Sequence, residues 1–227
     1  MTDIPILTID GPSGSGKGTI SLRVAQALGW HMLDSGALYR LVALGAMHHH
    51  LALDDAAALA EYALHLDTRF EVPEDGGEIQ VYLEGRNVTR DLRTETTGNA
   101  ASKVAAIQPV RAALLERQRN FAMPPGLVAD GRDMGTTVFP EAKLKIFLTA
   151  SVEERAKRRY KQLKEKGLGV SLRGLSEEIA ERDTRDSQRS VSPLKPADDA
   201  VLVDTSDMTI DEVVQRVTQL CRQAFAK

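Results

Sequence analysis

The chain has 227 residues, a formal net charge of -3, 42% hydrophobic and 27% charged residues. That balance is globular, sufficient for one sizeable core, and excludes a disordered chain or one that coats nucleic acid or membrane by bulk charge. One cysteine, Cys221, permits neither an internal disulfide nor a cysteine-based zinc site, no apolar run approaches the ~18 residues of a spanning helix, and the N-terminal segment lacks the basic region and apolar core of a signal peptide, so a soluble cytoplasmic protein is expected.

Residues 4–10 form a short apolar run ending on a polar residue, the pattern of a buried strand. Residues 11–18 are a glycine-rich loop. A helix follows to about Leu28, with Ile20, Val24, Ala27 and Leu28 in one stripe and Gly29 as its stop. A second strand is expected over 30–33, opening on Trp30. Asp34 or Ser35 then caps a helix with Leu38, Leu41, Val42 and Gly45 on one face and Arg40 off it. Another helix is expected over 54–66. The adjacent His48, His49 and His50 point in different directions on a helix, so a surface role is favoured over a shared metal ion.

The pattern changes over 67–92. Residues 69–72 and 79–83 alternate with period two around a turn at 73–77, and 84–88 lead into a third short strand, so a small antiparallel insertion is expected. Helical sequence resumes over 96–121 with a break at Pro109. Residues 127–130 and 144–148 read as buried strands, 152–166 as a basic helix, 176–186 as a further helix, 191–196 as extended, 200–204 as the last strand and 211–225 as the last helix. Five strands alternating with helices predict an α/β fold: one core over 1–227 whose parallel sheet is covered on both faces.

The sharpest local signal is Gly11-Pro12-Ser13-Gly14-Ser15-Gly16-Lys17-Gly18-Thr19. It matches the phosphate-binding G-x-x-x-x-G-K pattern between a strand and a helix. Glycines let successive backbone N–H groups form an anion nest, the helix N-terminus faces the same anion, and Lys17 adds a charge for terminal phosphates. A loop with no ligand is the bland alternative, and the strand-and-helix context weighs against it. The usual Ser or Thr after the lysine is Gly18 here, so the usual hydroxyl ligand for magnesium is missing from its place. Magnesium is then held mostly by phosphate oxygens and water, with no metal-ligating side chain assigned. This form argues against a GTPase or a motor and fits small kinases of nucleoside monophosphates.

Three further motifs are Leu33-Asp34-Ser35-Gly36-Ala37-Leu38-Tyr39-Arg40, Asp130-Gly131-Arg132-Asp133-Met134-Gly135-Thr136 and Arg182-Asp183-Thr184-Arg185-Asp186-Ser187-Gln188-Arg189. Together with the loop, over nearly the whole chain, they resemble the bacterial cytidylate kinases. The resemblance implies a P-loop fold, a monophosphate-binding insertion, a helical lid over 152–189, and transfer of the terminal phosphoryl group of ATP to CMP or dCMP with Mg2+. It also implies a monomer and no nucleic-acid or membrane partner.

Chemistry can be read beside that resemblance. Asp130 ends an apolar strand, where a carboxylate can orient water on magnesium; its plainer role is to cap the next turn. Arg40 and Arg132 each follow a strand-end turn, and guanidinium groups suit the acceptor phosphate. The resemblance places Ser35 in the acceptor site, Asp133 and Ser102 near the cytosine N4 amino group, and Arg111 near N3 and O2. Without it, Ser102 and Arg111 would be read as ordinary helix-surface residues. Arg182, Asp186 and Arg189, at spacings of four and three, share one helix face, which fits either an intrahelical ion-pair ladder or contacts to ribose and phosphate; the resemblance favours the second. The basic run Arg155, Lys157, Arg158, Arg159, Lys161, Lys164 and Lys166 fits a solvated helix face or a lid closing over ATP. Arg155 and Arg159 are the expected lid charges. Two other functions stay open on the residues: another small-metabolite P-loop kinase, such as a UMP or shikimate kinase, and a nucleic-acid-dependent ATPase using the basic run. The missing hydroxyl after Lys17 and the acidic balance count against the latter.

Overall fold

A computed structural model describes residues 4–71, 79–165 and 169–226. The expected turn at 73–77 and the helix end at Lys166 lie outside them. The strands are β1 (Ile6–Asp10), β2 (His31–Asp34), β3 (Thr68–Glu71), β4 (Gln80–Leu83), β5 (Arg86–Asn87), β6 (Leu127–Gly131), β7 (Leu144–Thr149) and β8 (Val201–Asp204). The helices are α1 (Lys17–Leu28), α2 (Ser35–His48), α3 (Ala56–Leu64), α4 (Glu95–Val104), α5 (Gln108–Arg119), α6 (Val152–Glu165), α7 (Leu172–Gln188) and α8 (Ile210–Phe225). The chain divides into two compact units, Met1–Asp34 with Gln118–Lys227, and Ser35–Arg117.

The first unit holds a five-stranded sheet in the order β2-β6-β1-β7-β8, every pair parallel. The period of two along β1 sends Leu7 and Ile9 to one face, where they meet Ile20 and Val24 of α1 and Val213, Val217 and Cys221 of α8 in the main apolar cluster. Thr8 and Asp10 therefore face the other side. There a tight turn at Met134–Val138 lies against β1, closed by the bonds Val138 N–H to Asp133 O (3.2 Å) and Phe139 N–H to Met134 O (2.7 Å).

Two expectations in this unit are corrected. Trp30 does not open β2. Gly29 stops α1 in the left-handed region (φ 66°) and the Trp30 N–H turns back to Ala25 O (2.9 Å), so Trp30 belongs to the helix cap. Its ring meets Phe225 edge-on, with centroids 5.2 Å apart. In α1 the inward face runs through Lys17, Ile20, Ser21, Val24 and Ala25, while Ala27 is exposed.

In the second unit α2 is buried along most of its length, packing on α4 and α3. Gly45 sits beneath Tyr62, whose hydroxyl occupies the space a β-carbon would need. Strands β3-β4-β5 form the expected antiparallel sheet. The helical stretch after it breaks at residues 105–107, not at Pro109. Pro109 lies in the first turn of α5, where its missing N–H costs no helical bond.

Candidate active site

The glycine-rich loop leaves the end of β1 and enters α1. At Gly11 (φ 150°) a β-carbon would run into the carbonyl oxygen of Leu148 on the adjacent strand, so only glycine lets the loop turn there. Gly16, left-handed at φ 87°, occupies the N-cap position without a side-chain cap. The first N–H groups of α1 thus lack partners within the helix and suit an anion.

Lys17 is buried, and its Nζ donates to Pro12 O at 2.7 Å and to Ser15 Oγ at 3.4 Å. Burial pushes the ammonium down to about 7, and repulsion from Arg132 and Arg182 adds to that, with Asp130 and Asp10 opposing. Two arginines thus bear on Lys17 beside the loop. Asp130, on β6, is pushed up to about 7 by burial, with Asp34 adding and Lys17 opposing. The position of Gly18 faces it: a β-carbon there would lie 3.6 Å from Asp130 Oδ2, in ordinary contact. The usual loop hydroxyl would thus sit beside this carboxylate.

Sequence reasoning missed Asp10, treating it only as the end of a strand. It is 5% exposed, and its two oxygens accept from the amides of Met134 (2.9 Å) and Gly135 (2.8 Å). Burial raises it to about 6 against the pull of those two bonds. The signal was available: an acidic residue closing an apolar strand and abutting the loop.

Arg132 follows β6 and donates from Nε to Asp186 Oδ2 at 3.1 Å. Asp186 is buried and its ion pair crosses to Arg132, while intrahelical ion pairs on α7 include Arg173–Glu177 and Glu181–Arg185. Arg182 and Asp186 are both on α7, but the helix ends at Gln188 and Arg189 is already extended (ψ 141°), so the three do not share one helical face. Arg189 Nε bonds instead to Ser192 O. Asp133 is 2% exposed and occupies the N-cap of the 134–138 turn, yet its side chain does not cap it.

The two expected lid charges have different surroundings. Arg155 is buried and already engaged: it grips Asp183 with two bonds and donates to Ala150 O (2.9 Å) and to Ser13 O of the loop (3.0 Å). Asp183 was not anticipated. Arg159, one turn on, is half-buried and bonds Gln162 at 3.4 Å.

The second unit holds the remaining candidates. Ser35 begins α2 and is buried. Arg40, further along α2, donates to Leu92 O at 2.6 Å and Thr94 O at 3.4 Å. Ser102 and Arg111 are 5% and 7% exposed, so the surface reading that their local sequence favours is wrong. Arg111 donates to Ala105 O (3.0 Å) and stacks its guanidinium 5.5 Å from the centre of the Tyr39 ring. A planar, buried fork held this way suits a planar polar ligand. His49 belongs to a different cluster: its Nε2 meets both carboxylate oxygens of Glu84 at 2.8 and 2.9 Å.

Among the described residues no helix is long and apolar enough to cross a membrane. Comparison with known proteins gives a family match: the model for cytidylate kinase matches residues 7–223. The chain is 58% identical over 219 residues to a protein named cytidylate kinase from Aeromonas hydrophila, covering 96% of this chain and 94% of that one. It is 57% identical over 220 residues to the cytidylate kinase of Pseudomonas paraeruginosa, covering 97% and 96%. Among solved structures it is similar to a shikimate kinase from Acinetobacter baumannii at 14% identity and a TM-score of 0.44, over 99% of this chain and 96% of that one, too slight a likeness to bear on function. A family match that takes in the glycine-rich loop, Asp130, Arg132 and Asp133 together leaves one assignment, and the chain belongs to the cytidylate kinase family.

Proposed function

We propose that this chain transfers the terminal phosphoryl group of ATP to CMP or dCMP, giving ADP and CDP or dCDP, as a soluble cytoplasmic monomer. The observation that carries this reading is the cluster of Lys17, Arg132 and Arg182 around the loop. Burial lowers the Lys17 ammonium, and the two arginines stand close enough for their repulsion to add to it. Lys17 is buried and the two arginines are half-buried, and cations gathered at a glycine-rich loop and a helix N-terminus suit a polyanion. An oxygen of the acceptor's 5′ phosphate attacks the γ-phosphorus, and the bond to the β-γ bridging oxygen breaks, leaving ADP. The acceptor is already anionic, so no strong general base is required. Catalysis is positioning plus charge stabilisation.

Residue roles follow from chemistry. Residues 11–19 and Lys17 bind the triphosphate. Asp130 fits Mg2+ through an intervening water, because the position of Gly18 leaves room beside its Oδ2. When bound, the ion neutralises charge on the phosphates. Arg40, Arg132, Arg182 and Arg189 suit phosphate, and Asp186 the ribose, with Ser35 beside the acceptor. Asp133 and Ser102 suit the N4 amino group, and Arg111 suits N3 and O2. Arg159 serves as the mobile lid charge. Arg155 is held by Asp183 and serves through the loop backbone it binds. Uracil would set O4 against Asp133 and N3–H against Arg111. Such buried mismatches cost about 1–3 kcal/mol each, so UMP turns over more slowly.

An ADP-release assay over CMP, dCMP, UMP, AMP and GMP tests the reading. CMP and dCMP are the expected substrates. Absence of CDP from CMP with ATP and Mg2+ overturns it.

A further inference from the structure

The turn that carries Asp133 is not capped by its own N-cap residue. A helical turn begins with N–H groups that have no partner, and an aspartate at the N-cap usually supplies one with its side chain. Asp133 holds that position and does not do so. The acceptor comes from a distant strand. Asp10, the last residue of β1, takes the Met134 N–H on Oδ1 and the Gly135 N–H on Oδ2, one amide per oxygen.

We propose that Asp10 is a positioning residue for base selection: by capping the 134–138 turn in trans, it fixes where Asp133 stands. This rests on the reading above that Asp133 faces the N4 amino group. Three further observations support it. Gly135 lies so close to the sheet that a β-carbon would come within 2.9 Å of Thr8 Oγ1 and 3.1 Å of Lys145 Cδ, so the turn is seated directly on β1 and β7. The Asp133 charge bears on Asp10, so the two carboxylates stand near each other, and both amides go to Asp10. Asp10 also immediately precedes Gly11, so one residue sets the start of the phosphate loop and the start of the base-reading turn. The charged groups that face Asp10 are Asp133, Lys17 and Asp130.

Asp10→Asn keeps the shape but has one carbonyl oxygen. Its NH2 must face one of the two amides, donor against donor, and one bond is lost. The turn then shifts or recruits Asp133 as its cap. Catalytic efficiencies for CMP and UMP are measured on the folded variant, with folding verified by circular dichroism and thermal melting. A displacement near 1 Å in such a site costs up to about 100-fold. The expected result is a fall of roughly tenfold or more in the CMP-over-UMP preference, with KM for CMP raised by more than KM for ATP. A purely structural role would lower the melting temperature and leave the preference unchanged, and that outcome overturns the proposal. If the variant does not fold, Gly135→Ala lifts the turn off β1 without altering Asp10 or Asp133 and is read by the same ratio. A wild-type protein that makes no CDP from CMP would defeat the functional reading itself, not this refinement of it.

Discussion

Arg155 grips both carboxylate oxygens of Asp183 and, through Nη1, also holds the Ser13 carbonyl 3.0 Å away. One guanidinium thus joins α6, α7 and the phosphate loop. Both partners are largely withdrawn from water, at 4% and 24% side-chain exposure. Removing one member of a buried pair leaves the other charge uncompensated, at about 3–5 kcal/mol. Asp183→Ala is expected to lower the melting temperature by roughly 10 °C and to raise KM for ATP by loosening the loop. Calorimetry and initial rates check both. An unchanged KM for ATP would confine the pair to stability.

Lys17→Met should cut turnover by on the order of 10²–10³ or more, because a positioned charge on the transferring group is lost. Stability should not fall. Lys17 sits near 7 in the folded protein against 10.5 for a free lysine, so the unfolded chain binds the extra proton between those values. Wild-type stability therefore declines as pH drops from about 10 to about 7, and the methionine variant lacks that decline. Thermal melts across this range, paired with steady-state rates at neutral pH, test both halves.

Asp130 behaves in the opposite sense. Burial raises it from 3.8 to about 7. The stability linked to its protonation is fully present below about pH 4 and is lost as pH rises through 7. Asp130→Asn, neutral throughout, should melt above the wild type at pH 8, with the gap closing toward pH 4. Its phosphoryl transfer should be much slower. A variant no more stable at pH 8 than the wild type would contradict the assigned burial cost.

Gly11 and Gly18 share a motif but not a constraint. Alanine at Gly11 drives a β-carbon into the Leu148 backbone, whereas at Gly18 it finds Asp130 Oδ2 at a comfortable 3.6 Å. Gly11→Ala should abolish ATP binding or folding. Gly18→Ala should melt within a few degrees of wild type. Ligand-free melting and nucleotide titration separate the two.

The sheet was legible because β1, β6 and β7 are apolar runs bounded by breakers, and the loop was legible because its glycines sit at fixed offsets. Errors cluster where the deciding partner is remote in sequence. Trp30 is claimed by the helix cap behind it, not by the strand ahead. Arg189 falls just past the end of α7, and helix ends are hard to locate from periodicity. Arg155 lies in a run of basic residues, and partners remote in sequence, Asp183 at 28 positions and Ser13 at 142, distinguish it. Ser102 and Arg111 have unremarkable neighbours, so their burial follows from packing that no local pattern encodes. Asp10 reaches across 124 residues to its amide partner.

One backbone detail in the second unit carries a final consequence. Glu84 adopts a left-handed conformation, φ 50°, at the β4–β5 bend, where most side chains are disfavoured by about 1–2 kcal/mol. Its carboxylate receives the Tyr62 hydroxyl at 2.8 Å and the His49 ring, fastening the bend to α3 and to the residue just after α2. A glycine there would relax the backbone and unclasp the sheet, so the substitution that local geometry recommends is the one the tertiary fold forbids.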